Sequence, residues 1–96
     1  EPNNASWSGF QMYHPHKNEG YLMLFRELHN EERHKEIKLS FLNNEELELI
    51  DLERPGETKK VHCKDGFVKF SMEESADYRF LKYRIINSPL KYGIKY

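Results

Sequence analysis

Ninety-six residues make one domain with a single modest core, since a chain of this size buries only somewhat more than roughly 60% of the surface it would expose unfolded. Hydrophobic residues are 38% and charged residues 32%, yet six Phe, six Tyr and one Trp gather in short runs, which excludes a disordered chain. Fifteen basic and sixteen acidic side chains are interleaved, so the sequence lacks the collected basic face that phosphate contacts require and predicts neither a nucleic-acid nor a membrane partner. No apolar run approaches the roughly 20 residues needed to span a bilayer.

Taken in order, residues 1–6 (EPNNAS) read as a linker, and the domain is expected over 7–96. WSGFQMYH (7–14) is a first strand, closed by the turn-rich PHKNEG. GYLMLFREL (20–28) is apolar on both faces: Tyr21, Met23 and Phe25 point one way, Leu22, Leu24 and Leu28 the other, with Arg26 interrupting the second set near the end. A half-exposed strand alternates, so this pattern asks what covers its second side. HNEERHKE (29–36) has no apolar stripe and reads as a solvated connection with at most a frayed turn.

IKLSFL (37–42) alternates, with Ile37, Leu39 and Phe41 expected inward. LELIDLE (47–53) is a strand stopped by RPGE, and TKKVHC (58–63) follows it. Asp65-Gly66 is the strongest hairpin signal in the chain, because a type I′ turn needs positive φ at both central residues. Beyond it Val68, Phe70 and Met72 alternate against Lys69 and Ser71. In YRFLKYRII (78–86) Leu81, Tyr83 and Ile85 share a face with Arg79, and NSPLKYGIKY is expected to bend at Pro89 and end in a short strand. Eight short strands without a long helix predict an all-β fold, a two-sheet antiparallel β-sandwich of Greek-key-like connectivity.

Chemistry-bearing patterns are few. Cys63 is the only cysteine, which rules out an internal disulfide and a cysteine-based zinc frame, and a strand cysteine is expected to fill core space. His62 adjoins it, but neighbouring strand residues face opposite ways. His14-Pro15-His16 pairs two imidazoles, with His29, His34 and His62 elsewhere, at no spacing resembling a ligand frame, so no metal and no cofactor are expected. The pairs Glu31-Glu32, Glu45-Glu46 and Glu73-Glu74 fall in polar turns, where carboxylates stay hydrated, and no catalytic residue is assigned. Trp7, Tyr13, Tyr21 and Tyr92 remain, as anchors of an interface or as a platform for sugar rings.

The run from GYLMLFREL through IKLSFL and LELIDLERPGETKKVHCKDGFVKFSM to YRFLKYRI resembles the small β-sandwich that follows the catalytic barrel in glycoside hydrolases of the α-galactosidase type. The likeness rests on LMLFRE at 22–27, on Ile50-Asp51-Leu52-Glu53-Arg54-Pro55-Gly56, and on Val68-Lys69-Phe70-Ser71-Met72 before the closing strand. It implies a non-catalytic accessory domain in a secreted or periplasmic enzyme. Its partner would be the catalytic domain of the same longer chain, whose barrel holds the reactive carboxylates. The alternative is a carbohydrate-binding module that takes glycan on exposed Trp or Tyr. The accessory role predicts an apolar surface patch of several hundred Å², roughly the upper range for a monomer, carried by Tyr21, Met23 and Phe25 or by the opposite set, with Trp7 nearby.

Overall fold

The computed structural model describes residues 7–54 and 56–87. Seven strands occur among them: β1 (Trp7–His14), β2 (Glu19–Arg26), β3 (His34–Lys38), β4 (Glu46–Asp51), β5 (Thr58–His62), β6 (Phe67–Ser71) and β7 (Asp77–Asn87). They form two antiparallel sheets, one of five strands in the order β1-β2-β7-β4-β5 and one of two strands, β3-β6. The all-β, two-sheet architecture is the expected one, with seven strands in place of about eight. The anticipated last strand, Tyr92 and the 1–6 linker lie outside the described residues.

Alternation decides which face of each strand is covered. On β2, Gly20, Leu22, Leu24 and Arg26 are buried while Tyr21 and Met23 are half-buried and Phe25 is exposed. Leu22 pairs with Leu81 of β7, and Leu49 of β4 pairs with Tyr83, so these side chains line one face of the five-stranded sheet. Val68 and Phe70 of β6 close over them, and with Leu39, Leu42, Leu47, Cys63 and Met72 they make one core fed by both sheets. Burial of a side chain such as Leu22 contributes about 1.5–3 kcal/mol. Gly20 sits where the Tyr83 ring crosses β2, and a Cβ there would collide with the ring and with the Met12 carbonyl. The Tyr83 hydroxyl in turn accepts from Gln11 Nε2 at 2.8 Å.

Three local expectations are corrected. The second sheet begins earlier than IKLSFL, at His34, and ends at Lys38. Only Ile37 of these five residues is even half-buried, so the strand carries no alternation to read. Phe41 does not point inward: its φ of 69° breaks the extended path, leaving the ring 75% exposed and stacked on Tyr13 at 5.3 Å. The Asp65-Gly66 turn does form, with φ of 52° and 88°, but it closes on a single bridge between Lys64 and Phe67. Beyond that bridge β5 joins the large sheet and β6 the small one.

Candidate functional site

The buried charge on β2 is explained by main-chain oxygens. Arg26 is 5% exposed, and its guanidinium donates to the carbonyls of Asn30 (2.8 Å from Nη2), Met72 (2.9 Å) and Glu73 (3.0 Å). Trp7, directly opposite Arg26 in the ladder, donates from Nε1 to the Asn30 side-chain oxygen (3.1 Å) and the Glu32 carbonyl (2.8 Å). Together they fasten the 27–33 connection and the end of β6 to the large sheet. Acceptors on the backbone leave no residue-type signature, so nothing in the sequence marked Arg26 as a clasp.

Among the described residues no layer lies over the opposite face of the large sheet. Register places Phe10 beside Met23 and Met23 beside Phe80, Met12 beside Tyr21, and Phe25 beside Tyr78. Phe10 and Met12 are 60% and 61% exposed, with Phe25 and Tyr78 also exposed and Leu52 open just past β4. The rings pair across β2 and β7, Tyr21 with Phe80 at 6.2 Å and Phe25 with Tyr78 at 6.4 Å, with planes inclined by 42° and 37°. At the other end of this face the side chains are charged and paired: Lys82 with Glu19 at 3.5 Å and Arg84 with Glu48 at 3.4 Å. The outer face therefore grades from apolar and aromatic to neutralised charge, with no excess of either sign.

Of the three aromatic candidates among the described residues, Trp7, Tyr13 and Tyr21, only Tyr21 lies on this face. Trp7 and Tyr13 are on the core side, part-buried against the core. The patch thus comes from the set Tyr21, Met23 and Phe25, extended by Phe10, Met12, Tyr78 and Phe80, while Trp7 belongs to the other side. WSGFQMYH does not show which of its faces is covered, so Phe10 and Met12 carry no sequence mark of their exposure.

Reactive groups are dispersed. His14 and His16 stand with ring centroids 6.3 Å apart, and His34 shares a 2.7 Å hydrogen bond with Ser71. Among the described residues no three His, Cys, Asp or Glu side chains converge in a way that could hold a metal ion. Cys63 is fully buried, and that burial, reinforced by the nearby Glu45 carboxylate, pushes its thiol above the usual range, the reverse of what a nucleophile needs. Burial likewise raises the Tyr83 hydroxyl. Asp77 is held below the usual carboxylate range, chiefly by the hydrogen bond from Arg79 Nη1 at 2.8 Å.

Two clefts flank the small sheet. One, of about 400 Å³, runs between β1 and β3, and the other, of about 490 Å³, lies between β5 and β6. Beside the first, Gln11 bridges to the backbone of Ser40, accepting from its N–H (2.7 Å) and donating to its carbonyl (2.9 Å). No described side chain makes a corresponding bridge between β5 and β6. Comparison with known proteins finds no matching family model, curated protein or solved structure.

Proposed function

We propose that this chain is a non-catalytic packing module that docks through the outer face of its five-stranded sheet onto another folded domain. One observation carries the reading: Phe10 and Met12 are more than half exposed in a continuous row with Met23, Phe25, Tyr78 and Phe80. Contiguous apolar surface of this kind marks an interaction site. Amphipathic rings mixed with Met suit the centre of such an interface, and the paired charges at the far end suit its rim. The finer form of the proposal is an accessory domain that stiffens the catalytic barrel of a carbohydrate-active enzyme in the same longer chain, supported by the resemblance of residues 7–86 to such domains.

Hydrogen exchange compares the chain alone with the chain joined to its parent polypeptide. Protection gained at Met12, Met23 and Phe80 supports docking; unchanged exchange across the outer face overturns it. The ring pairs Tyr21–Phe80 and Phe25–Tyr78 also favour a second reading, a glycan platform. Their inclined planes offer a less even surface to a flat sugar ring than coplanar ones would. Amide and ring shifts at Tyr21 and Phe80 on titration with an oligosaccharide panel would establish it, and silence across the panel would remove it.

A further inference from the structure

The ladder's phase shows which main-chain groups face the cleft between β5 and β6. Cys63 N–H donates to the Glu45 carbonyl (2.8 Å), and Asp51 N–H to the Glu57 carbonyl (3.2 Å). Both contacts lie on the β4–β5 register, so Lys59 and Val61 exchange bonds with β4, while Thr58, Lys60 and His62 turn their N–H and C=O groups to the free edge. On the other bank, Met72 N–H donates to the Arg33 carbonyl (2.8 Å) and Leu39 N–H to the Gly66 carbonyl (2.7 Å). Val68 and Phe70 are thus bonded to β3, and Lys69 and Ser71 present their main chain to the cleft. The bridge at Lys64 and Phe67, with bonds of 2.9 and 2.8 Å, is the first rung of the same series, and the strands part after it.

The 490 Å³ between the banks is floored by Leu24, Leu49 and Leu81 and walled by Phe70. Lys59 is in register with Leu49 and so stands on the core side of its strand. Lys60 and Lys69 lie on the outward side, and none of the three makes an ion pair among the described residues. Two strand edges unpaired among the described residues, an apolar floor and three lysines outside any ion pair define the occupant's chemistry. Of the carboxylates nearby, Asp51 is held by Arg54 and Glu48 by Arg84, which leaves Glu57 and Glu36 against the three lysines.

We propose that this cleft takes an extended acidic peptide from a partner protein, which adds a strand between β5 and β6. Its backbone bonds to Lys60 on one side and to Lys69 and Ser71 on the other, the mode by which sheet edges recognise peptides. Inward side chains are apolar and rest on Leu49 and Leu81; outward ones are Glu or Asp and meet Lys60 and Lys69. The chain's own residues 88–96 carry Lys91 and Lys95, the same sign as the banks, which makes them a poor electrostatic match. The seam between β1 and β3 is a weaker candidate, because Gln11 already bridges to Ser40 beside it.

The test is an NMR titration of the 15N-labelled chain with an acetylated hexapeptide of alternating Val and Glu. Shifts and slowed exchange confined to Thr58–His62 and Lys69–Ser71 are expected, with affinity falling as salt screens the lysines. Ser71→Pro removes an edge donor while sparing the main-chain ladder to β3 and should abolish binding; Ser71→Ala, which loses only the side-chain bond to His34, should bind normally. Lys60→Glu and Lys69→Glu should each weaken it about fivefold. The double reversal should accept a Val-Lys hexapeptide instead, which a merely unfolded variant could not do. No response at millimolar peptide, or shifts on the outer face at Phe10 and Tyr78, would overturn the proposal.

Discussion

The two faces of β2 differ less in composition than in what lies over them. Leu22 and Leu24 on one side and Tyr21, Met23 and Phe25 on the other are all apolar, yet the first pair is at most 4% exposed and Phe25 is 38% exposed. A two-stranded sheet covers one side of a five-stranded one, and the chain supplies no second cover among the described residues. Hydrophobicity therefore measures what a side chain would gain by burial, and topology decides whether this chain itself provides that burial.

Substitutions can break this contrast, and the largest loss belongs to the covered face. Leu22→Ala should destabilise by about 3 kcal/mol, from lost transfer energy and a cavity beside Tyr83 and Leu81; chemical denaturation measures it through a lower midpoint at unchanged slope. Arg26→Met keeps the stem but leaves the carbonyls of Asn30, Met72 and Glu73 without their donor, for a loss of about 2 kcal/mol. Faster exchange should appear across residues 27–33 in that variant.

On the uncovered face, Phe10→Ser with Phe25→Ser should change stability by only about 0.5 kcal/mol or less per site. The same pair should sharply reduce binding of a hydrophobic dye; a large loss of stability instead would show that the face is already covered. The smallest effect is an acid one. Asp77 has a folded pKa below its ordinary 3.8, so its contribution is complete above that value and is lost as pH falls through the depressed folded value. Asp77→Asn should flatten that part of the thermal-stability profile, with a small loss at neutral pH that disappears below the depressed folded value.

Much of the fold could be read from alternation and turn chemistry. WSGFQMYH, LELIDLE and YRFLKYRII are strands within two residues of expectation, and Asp65-Gly66 adopts the positive φ that the dipeptide favours. Failures occur where the physical cause is not local. His34–Lys38 is a strand because β6 lies beside it, not because its side chains alternate. Phe41 turns outward through an unfavourable left-handed φ that a non-glycine residue does not advertise. For the site, the double apolar pattern of β2 announced a second face, while Phe10 and Met12 joined it only through pairing with residues about ten positions away. The clasp formed by Arg26 and the open seam beside Lys69 depend on main-chain groups, which every residue type carries alike.

The position of β7 bears on the order in which the molecule can be assembled. It is the last described strand in the chain, yet it lies between β2 and β4. Until residues 77–87 have left the ribosome, β1-β2 and β4-β5 exist only as two separate hairpins, each too small to hold itself together in water. Arrival of the final strand joins both at once, so folding should be slow for the chain's length and all-or-none.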